Sequence, residues 1–170
     1  MIKITLNDTQ AKQQLKEIAV SLRKPEKMYG VIGETLKKIH TQRFKDEKSP
    51  DGKKWQELSS ITKKIKEEKG KSKKILRQDG YLSDLLAYNY NHQGVEFGST
   101  LKYARLHQYG ATIRPKHSSV LAFGSNKNPH FAKQVIIPAR PWLGLNQNNE
   151  DLLVSKARSV LSRQIAQILR

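Results

Sequence analysis

YARLHQYG at residues 103–110 is answered further along by IIPARPWLG at residues 136–144, and the reading of these two stretches decides the fold. The first predicts one short helix. Tyr103, Leu106 and His107 fall at i, i+3 and i+4 on one face, and Gly110 stands where a left-handed C-terminal cap is wanted. The second predicts the end of a strand over 135–137, broken by Pro138 and then Pro141. Neither proline can continue a ladder, so the backbone must turn out there with Arg140 and Trp142 displayed. Both stretches close a strand region, and they are expected to lie side by side.

Working outward, Ile2, Ile4 and Leu6 alternate with Lys3 and Thr5 and predict a half-buried strand. Asp8 is placed to cap a helix striped by Ala11, Leu15, Ile18, Ala19 and Leu22. Beyond Pro25 a second helix carries Met28, Val31, Ile32, Leu36, Ile39, Arg43 and Phe44 on one face, although Gly33 costs it ~1 kcal/mol against alanine. SPDG at 49–52 is a turn with proline and glycine at favoured positions. Trp55 and Leu58 anchor the loop that follows. Ser59 caps a short helix over 61–68, and Asp79 another, from which Leu82, Leu85 and Leu86 point inward. Residues 88–90 and 95–97 alternate as a hairpin about the loop 91–94.

After the central helix, residues 111–114 form a strand ended by Pro115. Residues 116–133 predict a long exposed β-hairpin with its tip around 120–123, where Leu121 and Phe123 have no obvious intramolecular face. Such a tip is expected to order on assembly. Asn148, with Asp151 three residues on, opens a last helix striped by Leu152, Leu153, Ala157, Val160, Leu161, Ile165 and Ile168. The sum is an α+β fold in a single domain, 1–170. A small, mostly antiparallel sheet is packed by about three long amphipathic helices, with a basic loop beside it.

The net charge of +17 is the extreme feature of the composition, and it points to polyanions or acidic partners. Cysteine is absent, which removes disulfides, a thiol nucleophile and cysteine-based zinc sites. No apolar run approaches the ~20 residues of a bilayer span, so a cytoplasmic protein with no membrane partner is expected. The five histidines stand outside any metal-ligand spacing, and no nucleophile elbow or phosphate-cradling glycine loop occurs. No catalytic residue, metal or cofactor is therefore assigned. His107 reads first as a histidine bonded to backbone.

Ten basic residues face three acidic ones between residues 53 and 77. The plain reading is a solvated loop. The functional reading is phosphate contact without base stacking, since aromatic side chains are missing from its centre. Lys63, Lys64, Lys66, Lys69, Lys71, Lys73, Lys74 and Arg77 are the candidates to face a polyanion. Arg140 and Trp142 stay open between a core role and a subunit contact, where both residue types are enriched.

Five segments in order carry a family resemblance: FKDEKSPDGKKW at 44–55, IL with DGYL at 75–76 and 79–82, VEFGS at 95–99, and the two opening stretches. The chain resembles the phage virion-morphogenesis family, tail-completion or tail-terminator-like proteins of Mu-type phages and prophages. The likeness spans roughly residues 40 to 146, and the lysine-rich run around 63–74 departs from its pattern. The resemblance implies a structural tail-assembly protein of the virion, made in the cytoplasm of the bacterial host and closing the tail where it meets the head. It implies a homo-oligomeric ring, often hexameric, in contact with neighbouring tail or head-connector proteins and with DNA passing the lumen. Tyr103, His107, Tyr109, Leu121, Phe123, Arg140 and Trp142 are the candidate assembly contacts. The residues alone leave a different class open, a nucleic-acid-binding module indifferent to sequence.

Overall fold

The computed structural model describes residues 8–23, 25–125 and 128–170. Among these residues three long helices, α1 (Thr9–Leu22), α2 (Glu26–Asp46) and α6 (Gln147–Ile168), are joined by three short ones, α3 (Ser60–Glu68), α4 (Tyr81–Asp84) and α5 (Ala104–Tyr109). Six strands among the described residues complete the order: β1 (Ala87–Tyr90) and β2 (Val95–Gly98) before α5, then β3 (Ala111–Ile113), β4 (Leu121–Ser125), β5 (Asn128–Ala132) and β6 (Val135–Ile137). The fold is α+β. Its strands form three separate antiparallel ribbons, β1–β2, β3–β6 and β4–β5, in place of the single small sheet expected. Each strand has only three to five residues, and Pro115 and Pro138 follow β3 and β6 closely, so no strand is long enough to recruit a third.

The axis of the molecule is α2, which packs along α6 and under the β1–β2 ribbon. Gly33 explains itself here. A Cβ at that position would stand 2.2 Å from the Tyr88 ring, so the helix gives up propensity to let β1 lie against it. Tyr88 also donates its hydroxyl to Glu34 at 2.6 Å, and it stacks with Tyr90 on the same face of the strand. Below this, Phe44, Trp55, Ile75, Leu82, Leu86, Ala104 and Trp142 form the core. Phe44 stands edge-on to Trp55 at 5.5 Å and 6.0 Å from Trp142.

Several expectations change in detail. The Ile2–Leu6 strand lies outside the described residues. Asp8 makes no side-chain cap, because its carboxylate pairs with Lys12 one turn on at 2.7 Å. The apolar stripe of α1 packs little: no residue of the helix is buried, and Leu15 and Leu22 are exposed. Asp79 does not cap α4; Gly80, at φ 86, takes that place and Asp79 receives Lys71 instead. Leu82 and Leu86 are buried, but Leu85 faces out. The last helix starts two residues earlier than expected. The Asn146 side chain accepts from Asn149 N at 2.9 Å and Asn149 answers, a reciprocal capping box. Residues 121–123 belong to a strand instead of a tip. Leu121 pairs with Ala132 and Phe123 with His130.

Candidate functional site

The segment 138–144 belongs to no helix or strand, so its polar groups need partners from elsewhere. Two side chains supply most of them. Gln108, on α5, accepts from the backbone N–H of Trp142 and of Leu143, each at 2.9 Å, and donates Nε2 to Leu143 O at 2.9 Å. Arg43, on α2, donates Nη1 to Trp142 O at 2.9 Å and Gly144 O at 2.8 Å, and Nη2 to Asn149 Oδ1 at 3.1 Å. Trp55 donates its indole N–H to Pro141 O at 2.9 Å. Arg43 therefore ties α2 to the segment and to the start of α6 with one rigid fork.

The two opening stretches do meet. Arg140 N donates to His107 O at 2.7 Å, and the Trp142 indole N–H donates to Ala104 O at 3.1 Å. Gly110 has φ 74 and ψ 164, outside the left-handed helical well assigned to it as a cap. Glycine is required there by close approach: a Cβ would stand 2.9 Å from Ala139 N and 3.0 Å from Ile137 O.

Two of the candidate contacts are thereby inside the subunit. Trp142 is 3% exposed and Arg140 6%, and the Arg140 guanidinium gives Nε to Gln56 O at 2.8 Å and Nη2 to Glu57 O at 3.1 Å. The proline-broken turn does not display them, because carbonyls of the loop before α3 fold over the arginine. Burial lowers the pKa of both Arg43 and Arg140, and main-chain carbonyls take the place of a carboxylate around each. His107 is half-buried, and burial together with the Arg140 charge lowers its pKa. Tyr103, Tyr109 and Phe123 are exposed and Leu121 is half-buried.

His40 completes the clamp from below and is 1% exposed. Its Nδ1 lies 2.7 Å from Leu36 O and so carries the proton, leaving Nε2 to accept from Gly144 N at 3.4 Å. Phe97 covers the ring at 4.5 Å. Burial is the chief cause that pushes the pKa down to about 4, with the nearby Arg43 charge adding to it.

The basic run is less free than composition implied. Lys66 is buried and donates to Lys74 O at 2.6 Å and Arg77 O at 3.1 Å, an internal brace for the loop it was expected to charge. Burial lowers its pKa. Lys63 pairs with Glu57 at 2.7 Å, Lys71 with Asp79, and Lys73 with Glu67 at 3.8 Å. Lys74 reaches Lys45 O at 3.1 Å. Arg77 is half-buried; Lys64 and Lys69 are exposed and have no acidic partner among the described residues. Nearby acids do the neutralising: Glu57 and Glu67 within the run and Asp79 just beyond it.

Sequence reasoning missed Gln108 as a clamp, although it lies inside a quoted motif; a polar side chain between two apolar helical positions was the available signal. It also missed the exposure of Ile136 and Phe131. Ile136 pairs with Thr112, both facing out, whereas Ala111, Ile113, Val135 and Ile137 are half-buried. Three consecutive β-branched residues hide that alternation. Among the described residues no helix is long and apolar enough to cross a membrane.

No curated protein and no solved structure matches the chain. Compared with known families, residues 6–162 of the 170 match the phage virion morphogenesis family, so the match takes in α1, α2, most of α6, all three ribbons and the clamp. The chain belongs to the phage virion morphogenesis family.

Proposed function

We propose that this protein is a structural component that completes or terminates the phage tail at the head–tail junction, acting as a ring of identical subunits. Family membership over nearly the whole chain carries the reading. Exposed apolar side chains are available for such contacts: Tyr109, Phe131 and Ile136 leave most of their area in water. In this reading Tyr103, Tyr109, Phe123, Phe131 and Ile136 meet neighbouring subunits or tail and head-connector proteins. Heterologous contacts of that kind close into a ring when the rotation between subunits allows. Arg140 and Trp142 act beneath that surface by fixing the shape of α5 and of the β3–β6 ribbon.

Removing the protein from a phage that encodes it tests the proposal. The lysate is expected to hold filled heads and assembled tails that remain unjoined, or tails of uncontrolled length, when viewed by electron microscopy. Joined, infectious particles at normal yield would overturn it.

A further inference from the structure

The outward face of the β3–β6 ribbon carries the most exposed aliphatic side chain among the described residues, Ile136, which leaves 69% of its area in water opposite Thr112. One step along the same face Arg114 donates Nε to Gln134 Oε1 at 3.3 Å, and its two terminal nitrogens have no partner among the described residues. Lys133 adjoins Gln134, Lys116 lies two residues beyond Arg114, and all three cations are exposed. No carboxylate occurs between Glu96 and Glu150, so nothing in α5 or the ribbons balances them. Glu68 does come in from α3, but Ser125 and Asn128 hold it at 2.9 and 3.1 Å, at the opposite end of β5 from Lys133. None of the three cations has an ion pair among the described residues.

Such a face cannot pack on a copy of itself, since like charges would meet with no acid between them. A phosphate backbone does not match it either, because it offers nothing to Ile136. Apolar side chains beside an arginine, with lysines at the rim, have the make-up of a protein interface.

A complement lies on the same chain, at the start of α6. Glu150 and Asp151 are exposed there with no ion pair among the described residues, and Asp151 accepts from a neutral donor, Gln147, at 3.0 Å. Val154, also exposed, shares their helix face at i+4 and i+3. The first cation along the helix is Lys156. Arg43 is close, but its fork is taken up by Trp142 O, Gly144 O and Asn149 Oδ1. The turn that bonds Asn146 through Pro50 O brings up four lysines between residues 45 and 54, which stand among four carboxylates between 46 and 57. The two patches lie at opposite ends of the 138–144 segment, and no hydrogen bond or ion pair joins them within one chain among the described residues.

We propose that the β3–β6 face of one subunit docks on the start of α6 of the next, Arg114 and Lys133 meeting Glu150 and Asp151 around Ile136 and Val154. The contact is heterologous, the kind that closes into a ring when its rotation allows. The inference rests on the ring of identical subunits proposed above and names the two surfaces that form it.

Charge reversal on each side tests it. Arg114→Glu/Lys133→Glu and Glu150→Lys/Asp151→Lys each set like charges across the contact. Self-association in sedimentation velocity at physiological salt should weaken about a hundredfold or more in either. An equimolar mixture of the two restores opposite charges at every contact and should associate again, as should one chain carrying all four changes. Lysine is unfavourable in the first turn of a helix, so Glu150→Gln/Asp151→Asn is a milder second variant, expected to weaken association about tenfold. Should the lysine variant fail to fold by circular dichroism, this neutral one takes its place in the mixture, where every other junction is then native. Reversal variants that associate like the unaltered chain, a mixture of folded variants that stays apart, or an unaltered chain that is monomeric at every concentration overturns the contact. Deletion of the protein from the phage judges the tail role separately: a chain that associates in this way yet is dispensable for tails refutes that role and leaves the contact standing.

Discussion

Trp142→Ala is expected to destabilise the isolated subunit by about 3–5 kcal/mol. Whole-domain stabilities run roughly 5–15 kcal/mol, so the variant should lose a large fraction of the total. The indole sits on Phe44 at the centre of the core and donates to Ala104 O, and its own main chain is held by Gln108 and Arg43. Truncation opens a cavity where α2, α5 and the 138–144 segment converge, and little can collapse into it because Gln108 and Arg43 fix the surrounding backbone. Trp142→Phe keeps most of the packing and loses the N–H donor, so about 1–2 kcal/mol is expected. Urea unfolding of the three proteins measures both. An alanine variant with an unchanged midpoint would show that the tryptophan is not a core residue.

The second large effect is a loss of stability in mild acid, traced to His40. The folded pKa of about 4 lies below the ordinary 6.5, so the unfolded chain binds this proton more readily than the folded one. The contribution is fully present above pH 6.5 and is lost as pH falls from there through 4. At 1.36 kcal/mol for each pH unit, the whole loss comes to about 3 kcal/mol. The physical event is the arrival of a proton on Nε2, which faces the Gly144 N–H and lies beside Arg43 with no acceptor in reach. His107, whose pKa is lowered by burial and by Arg140, pulls in the same direction. His40→Gln should remove most of the dependence between pH 4 and 6.5 and leave the smaller share due to His107. Unfolding free energies for both proteins across that range give the comparison, and identical pH profiles would refute the assignment.

What could be read from the chain beforehand was set by how local the cause was. The apolar periodicity of α2 and α6, the Ser59 cap, the turn at 49–52 and the hairpin about 91–94 are all written within a few neighbouring residues. The meeting of the two opening stretches was also legible, because prolines and glycines mark where backbones stop and approach. Long-range commitments were not. Nothing near Arg140 announces the carbonyls of Gln56 and Glu57. Charged residues counted as surface in a composition thus include Arg43, Lys66 and Arg140, which the fold uses inside as donors to main-chain oxygens. The assembly surface suffered from the same blindness. Residues that looked displayed, Arg140 and Trp142, are interior, whereas Ile136, in the middle of an apolar strand, is exposed.

The position of this protein in the finished particle tests the central claim most directly. Cross-linking of purified virions followed by mass spectrometry, with a density map of the head–tail junction, would locate it. The account predicts several copies arranged as a ring at the head-proximal end of the tail, with cross-links between subunits that involve lysines near the exposed apolar residues, such as Lys102 and Lys133. Absence from the virion, or a single copy placed elsewhere in the particle, would contradict it.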